Sequence, residues 1–293
     1  MKRMCFLIFS YSIVYNLTGQ ELFRPDPYRA EFITTDYEHF WHAYDSLDIS
    51  DVNPFEGYLQ RASPGLAPLV QYIDVNLFYE TVVTRKKDYL KTKDVIDDLG
   101  GTLKRVEASY AALEYWYPDA VYPPVFFAVG MFTVGGTISE NGLLIGVELL
   151  EDVDALHGLV AHELIHFQQQ VKGEPNLLTQ SIIEGSADFI GELISGVHVN
   201  LEAFEYGETH ETSLCQEFKE IMKGDDFEDW LYGTSGKDNR PKDLGYWIGY
   251  KIVESYYHKQ KNKRAAISGI LNIDDTQKFL EISGYLNAFN DEE

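Results

Sequence analysis

The chain has 293 residues and a formal net charge of −23, with 45% hydrophobic and 14% aromatic residues. This much apolar material can form a buried core, so the composition excludes an intrinsically disordered chain in spite of its acidity. A surface this negative repels the phosphate backbone of nucleic acid and anionic lipid headgroups, which excludes nucleic acid as a partner.

The first nineteen residues have the pattern of a secretory signal peptide. Basic residues Lys2 and Arg3 precede an apolar stretch from Met4 to Val14 and a short polar end. A transmembrane anchor is the alternative, but a bilayer span needs about 20 apolar residues and polar side chains interrupt this stretch. The sequence therefore predicts a signal peptide over residues 1–19, export to the periplasm or the medium, and no stable membrane insertion after cleavage.

Residues 20–293 are predicted to form a single α+β domain that is mainly helical. Residues 20–120 show helical periodicity, with apolar side chains recurring every three to four positions in Val75–Leu99 and in Leu103–Trp116. A proline-rich stretch then ends this pattern, and residues 121–293 begin with strand-like runs. No internal repeat or interdomain linker divides the chain, so we expect one domain with a helical N-terminal part.

Two apolar runs, Val125–Val129 and Leu143–Val147, flank a glycine-rich segment. We expect the two runs to pair as a β-hairpin, because Asn-Gly and Gly-Gly dipeptides favour tight turns. Acidic residues Glu151, Asp152 and Asp154 are placed to cap the next helix. Three helices are predicted in the rest of the chain: one ending near Val171, one from about Leu178 to Ile194, and one from Leu244 to about His258.

The first of these helices contains an HExxH motif, with histidines at His162 and His166. At about 3.6 residues per turn, both imidazoles project from one face and can reach the same ion. Glu163 is rotated away from this axis, so it flanks the metal instead of binding it. From there it can accept a proton from water whose pKa a cation has lowered, which makes it the candidate general base.

The second helix supplies the third predicted ligand. Glu184 and His166 lie at similar distances from the turn that joins the two helices, so an antiparallel pair brings them side by side. Asp188 is one turn beyond Glu184 and is predicted to hold a ligand histidine in its tautomer from outside the ligand set. Three protein ligands leave a position open for water, which is the arrangement of a catalytic Zn²⁺ ion.

These motifs resemble those of a known group of enzymes. HELIHFQQ followed by EGSAD resembles the gluzincin branch of zinc metallopeptidases, which includes thermolysin-like enzymes. GGTISENGLLIGVE and GYWIGYKIVESYY are similar, more closely, to uncharacterised bacterial families regarded as zinc-dependent peptidases. The resemblance covers Val125 to about Tyr257. It implies a zincin-like fold, with a small sheet packed on the two motif helices and an edge strand that can hold an extended peptide.

Tyrosines recur along the last predicted helix and allow two interpretations. Tyr246 and Tyr250 either pack in the core or donate a hydroxyl hydrogen bond to the oxyanion formed during peptide hydrolysis. Arg240 likewise either binds a substrate carboxylate or is solvated at the surface.

The sequence therefore predicts an exported zinc-dependent metallopeptidase that acts on a peptide or protein substrate. Zinc would be held by His162, His166 and Glu184, with Glu163 as the base. Two alternatives remain at this point: a zincin-like protein that binds a peptide or a partner without cleaving it, and a helical protein whose HExxH is accidental. Oligomeric state and cleavage specificity are not predicted.

Overall fold

The computed structural model describes residues 26–97, 99–150, 155–232 and 240–289, without the side chains of 94–97. The predicted signal peptide over residues 1–19 and the predicted acidic cap at Glu151, Asp152 and Asp154 lie outside the described residues. The described chain is mainly helical and contains a small four-stranded sheet, so the α+β class is confirmed.

The described residues cluster into two compact units. The sheet unit comprises the described part of Phe23–Gln169 together with Phe189–Val199, and the helical unit comprises Gln170–Asp188 together with the described part of Asn200–Glu293. Helix α8 (Leu177–Ser195) contributes residues to both.

The sheet unit contains short strands and most of the helices. Its strands are β1 (Phe32–Ile33), β2 (Val125–Ala128), β3 (Gly136–Ser139) and β4 (Gly142–Gly146). Its helices, apart from the end of α8, are α1 (Thr35–Asp45), α2 (Phe55–Gln60), α3 (Ala67–Val70), α4 (Val75–Thr84), α5 (Lys86–Asp97), α6 (Leu99–Trp116) and α7 (Leu156–Gln168).

The sheet has the order β1-β2-β4-β3, and its pairing corrects the predicted hairpin. The two predicted runs do form strands, but β2 and β4 pair in parallel, with Phe127 opposite Ile145. The hairpin is formed by β3 and β4, which are antiparallel and joined at the Asn141-Gly142 turn, where Gly142 has a φ of 139°. The run from Gly136 to Ser139 is short and half-polar, so its pattern does not indicate a strand.

A cluster of aromatic rings forms the core beneath the N-terminal helices. Phe40 stacks on Phe55 at 5.6 Å between ring centroids and contacts Tyr58 and Tyr89 at 5.8 and 5.4 Å. All four side chains have no solvent exposure. Aromatic pairs at these separations add to the hydrophobic stabilisation of the core. The hydroxyls of Tyr58 and Tyr89 reach from this cluster to the backbone of the β2–β3 connection.

The helical unit is built around α10. Besides the first part of α8, its helices are α9 (Leu201–Ile221), α10 (Leu244–Lys259), α11 (Lys263–Leu271) and α12 (Thr276–Ser283). Helices α8 and α10 touch through glycines: a Cβ added to Gly249 would lie 1.7 Å from the backbone oxygen of Ser181, and one added to Gly185 would lie 2.1 Å from the backbone nitrogen of Tyr250. Only residues without a side chain permit this approach.

The predicted helices are present, but several bounds differ: α6 begins at Leu99 instead of Leu103, and two further differences follow. Helices α9, α11 and α12 were not predicted. The predicted helix Val75–Leu99 is divided into α4 and α5 at Arg85, whose φ of −112° ends the first helix. Helix α7 ends at Gln168 instead of near Val171, because Gln169 takes an extended backbone with ψ of 135°. Within the described ranges, no helix is both long and apolar enough to cross a membrane.

Candidate metal centre

Helix α7 carries both histidines of the HExxH motif. They lie one turn apart, and the Nε2 atoms of His162 and His166 are 2.9 Å from each other. The C-terminal end of α7 is fixed by Gln168, whose side-chain amide donates to the backbone oxygen of Val121 at 2.8 Å and accepts from its N–H at 3.0 Å. That segment leads into β2, so the histidine helix is tied to the sheet.

Gln169 fixes the tautomer of His166. The His166 Nδ1 atom lies 2.9 Å from the side-chain oxygen of Gln169. An amide oxygen can only accept a hydrogen bond, so Nδ1 carries the proton and Nε2 presents a lone pair. Sequence reasoning missed Gln169, although its position three residues after His166, directly after the last residue of α7, was a usable signal.

Glu184 joins the two histidines. One ligand atom from each of His162, His166 and Glu184 lies within 4.8 Å of the other two. Helix α8 approaches α7 near the first histidine, where a Cβ added to Gly191 would lie 3.3 Å from the backbone nitrogen of His162. The three residues predicted as ligands are thus brought together, and they could hold a metal ion.

The donor set suits zinc. The lone pair on His166 Nε2 cannot face a second lone pair at 2.9 Å without a proton or a cation between them, and the Glu184 carboxylate adds a negative charge. Two imidazole nitrogens and one carboxylate are the ligands of a class of catalytic zinc sites that keep a further position open. The residues present therefore fit a zinc ion.

Glu163 lies against the edge strand β3. Its side chain is buried, with 6% exposure. A Cβ added to Gly136 would lie 2.4 Å from Glu163 Oε1, so the carboxylate occupies the space that a side chain on the strand would take. The candidate base is thus placed beside a backbone edge and outside the set of three ligands, as the helical geometry predicts.

Asp188 is buried and accepts a hydrogen bond from the side-chain amide of Asn200 at 2.6 Å. Asn200, which precedes α9, therefore supports the Asp188 carboxylate. The sequence did not indicate this role for Asn200. The predicted role of Asp188 toward a ligand histidine stays a prediction.

Tyr246 lies in the electrostatic field of the acidic residues on α8. Burial raises the pKa of Tyr246 well above its usual range, and the negative charges of Glu184, Asp243 and Asp188 raise it further. Its hydroxyl is therefore protonated at neutral pH and can act as a hydrogen-bond donor.

Tyr250 has a different environment. Its ring packs edge-on against Phe204 of α9, with centroids 4.8 Å apart and planes at 89°. This is the geometry of an aromatic packing pair. The structure thus places Tyr246 in the field of Glu184 and Asp188, and the ring of Tyr250 against Phe204.

Arg240 takes neither of the two roles considered from the sequence. Its guanidinium forms two parallel hydrogen bonds with the Glu217 carboxylate, at 2.9 and 2.7 Å, and its side chain is only 13% exposed. A bidentate pair of this kind holds the side chain in one geometry. Arg240 is therefore a structural ion-pair residue in the helical unit.

Comparison with known proteins gives one match, which contains all the predicted ligands. Residues 131–276 match a family described as "Predicted Zn-dependent protease (DUF2268)". The chain is similar to this family across its metal centre. No curated protein and no solved structure matched the chain.

Replacing Gln169 should weaken zinc binding. In Gln169→Ala the proton on His166 Nδ1 loses its acceptor, so we expect the zinc dissociation constant to rise by about tenfold to a hundredfold. Competition with a chromogenic chelator at neutral pH measures this constant. The control is Gln170→Ala, since the Gln170 side chain is exposed. Equal affinities in both variants would contradict the assigned role of Gln169.

Proposed function

We propose that this chain is a zinc-dependent metallopeptidase of the gluzincin type, with a zincin-like fold. The observation that carries the proposal is the convergence of His162, His166 and Glu184 within 4.8 Å, with Glu163 on the same helix as the histidines. The similarity of residues 131–276 to a predicted zinc protease family supports it.

Zinc bound at these three residues would act as a Lewis acid, lowering the pKa of water and polarising a peptide carbonyl. Glu163 would accept the proton from the attacking water and pass it to the leaving amine. Its burial beside Gly136 supports this role, because the strand limits the positions that the carboxylate can take.

Strand β3 would hold the substrate. It pairs with β4 along one edge, and within the described residues no strand pairs with its other edge. An extended peptide could add to that edge through backbone hydrogen bonds, which would place a peptide bond near Glu163. Backbone pairing of this kind recognises a peptide by its main chain, so the proposed substrate class is an unfolded or extended segment.

Glu163→Gln tests the chemistry. Glutamine keeps the shape of the side chain but cannot accept a proton, so we expect kcat/KM for peptide hydrolysis to fall by about a hundredfold to ten-thousandfold, with zinc still bound. A library of quenched fluorescent peptides and metal analysis of each variant provide the two measurements. Glu174→Gln, at an exposed position, is the control.

The outcomes separate the three readings of the sequence. Full activity in Glu163→Gln would refute the proposed mechanism. Stoichiometric zinc without cleavage of any peptide by the wild type would favour a protein that binds a peptide or a partner. Absence of stoichiometric zinc would indicate a helical protein whose HExxH pattern is accidental.

Tyr246 is proposed to donate its hydroxyl to the oxyanion. Removing one such donor typically lowers kcat by about a hundredfold to a thousandfold, so we expect Tyr246→Phe to lose kcat in this range with little change in KM. Tyr250→Phe is the matched comparison on the same helix, and it should retain most of the activity because its ring packs on Phe204. Steady-state kinetics of both variants with one peptide show which tyrosine donates to the oxyanion. A larger loss of kcat in Tyr250→Phe than in Tyr246→Phe would assign the role to Tyr250.

We also propose that the chain is exported, because residues 1–19 have the pattern of a signal peptide. Expression in a bacterial host followed by N-terminal sequencing tests this. We expect a chain that begins near Gln20 in the periplasm or the medium. A cytoplasmic chain that still begins with Met1 would contradict the proposal.

A further inference from the structure

Residues 129–135 connect β2 to β3, and we refer to them as the β2–β3 loop. Buried side chains form hydrogen bonds with the backbone of this loop. The Tyr58 hydroxyl donates to the backbone oxygen of Val129 at 2.9 Å and accepts from its N–H at 3.3 Å. The Tyr89 hydroxyl donates to the backbone oxygen of Gly130 at 2.8 Å. Both tyrosines belong to the rigid aromatic core, so the start of the loop has a fixed position.

A buried carboxylate completes this support. Glu148, which follows β4, is 6% exposed, and its Oε1 atom accepts the backbone N–H of Phe132 at 3.2 Å. Burial raises the pKa of Glu148, while hydrogen bonds from backbone N–H groups, including those of Gly130 and Phe132, lower it. Its Oε2 atom is buried and has no hydrogen-bond partner among the described residues.

The presence of a carboxyl group at position 148 is not explained by stability, since its burial raises its pKa. Arg85 is the cation in its field, but the Arg85 guanidinium stacks on the Phe132 ring at 3.4 Å instead of forming an ion pair with Glu148. A buried carboxylate without a paired cation is unfavourable, and an apolar residue in such a place is often as stable or more so. What the Glu148 carboxyl group provides is an acceptor for the loop N–H groups of Gly130 and Phe132.

The backbone conformation of Phe132 indicates that surrounding residues determine the conformation of the loop. Phe132 has a φ of 60°, in the left-handed region that is unfavourable for a bulky residue. Arg85 covers one part of its ring, Tyr89 contacts the ring at 4.9 Å between centroids, and Glu148 binds its N–H. A strained residue persists only where its surroundings determine its conformation.

The loop leads directly to the strand that accommodates the candidate base. The N–H of Gly146 donates to the backbone oxygen of Gly135 at 2.9 Å, and the next residue, Gly136, is the one whose missing side chain leaves room for Glu163. A shift of the loop would therefore move β3 relative to the Glu163 carboxylate.

We propose that Glu148 is a positioning residue that fixes the β2–β3 loop and, through it, the placement of β3 against Glu163. The proposal rests on the proposed peptidase function for its effect on catalysis. It extends that function by assigning a role to a residue that is neither a ligand nor a base and that lies at the far end of the β2–β3 loop from the chemistry.

The experiment compares Glu148→Ala and Glu148→Gln with the wild type in the full chain. Glu140→Ala, which removes an exposed carboxylate from the turn between β3 and β4, is the matched control. We expect Glu148→Ala to lower kcat by about tenfold to a hundredfold, since displacement of a reacting group by about 1 Å can have an effect of this size. Glu148→Gln keeps an acceptor oxygen and should recover part of the loss. Zinc affinity should stay at the wild-type value, because the ligands lie on α7 and α8.

A second measurement does not depend on activity. Amide hydrogen exchange should become about tenfold faster at Gly136–Ser139 in Glu148→Ala, with exchange in α7 unchanged. If the folded variants keep wild-type kcat and wild-type exchange in β3, with only a lower melting temperature, Glu148 is a structural residue and the proposal is overturned.

Two further comparisons keep the outcomes distinct. If Glu148→Ala fails to fold, Tyr89→Phe, which removes the hydroxyl bound to Gly130, carries the test, and wild-type values in Tyr89→Phe and Glu148→Gln would overturn the proposal. If the wild type has no peptidase activity, the proposed function has failed, while faster exchange in β3 still supports the positioning role.

Discussion

Two imidazole nitrogens facing each other at 2.9 Å are the constraint around which the candidate site is organised. Gln169 leaves His166 Nε2 without a proton, so in the absence of a metal the only hydrogen bond available to the pair is one donated by His162 Nε2–H. A cation that occupies this place requires both imidazoles to be neutral with a lone pair on Nε2, so metal affinity at such a centre depends on pH. The carboxylate of Glu184 favours the cation over the proton because it supplies a further negative ligand.

The close contact between α8 and α10 determines what surrounds Glu184. With glycines at positions 185 and 249, the two backbones touch, and Tyr246 on α10 enters the electrostatic field of Glu184. A larger residue at either glycine would separate the helices and move the tyrosine away from the carboxylates. The same contact that packs the helical unit therefore also fixes a hydrogen-bond donor near a ligand.

Local pattern was sufficient to predict α7, α8 and α10, and the grouping of His162, His166 and Glu184 follows from helical spacing together with the predicted antiparallel helix pair. It did not predict α9, α11 or α12. Strand pairing was not predictable in this way. Parallel pairing of β2 with β4 depends on the insertion of β3 between them in the chain, and both Gly135-Gly136 and Asn141-Gly142 carry turn signals of similar strength. Asn200 and Glu148 were missed because their partners are groups that only the folded chain brings near. Gln169 was missed although its partner, His166, is only three residues away. The tyrosine stripe on α10 could not distinguish Tyr246 from Tyr250, because neighbouring turns of one helix have the same periodicity.

The parallel pairing of β1 with β2 has a consequence for how the chain can fold. All of α1 to α6 lies between these two strands in the chain, and β1 and β2 both lie outside residues 131–276, the segment similar to a family of predicted zinc-dependent proteases. The segment that carries His162, His166 and Glu184 therefore lacks two of the four strands of its sheet. Pairing β1 with β2 closes a long loop and so has a cost in chain entropy. Burial of apolar surface in the aromatic core around Phe40 offsets this cost. The N-terminal helices are thus needed for the sheet to assemble. The part of the chain that folds cooperatively therefore extends well beyond residues 131–276.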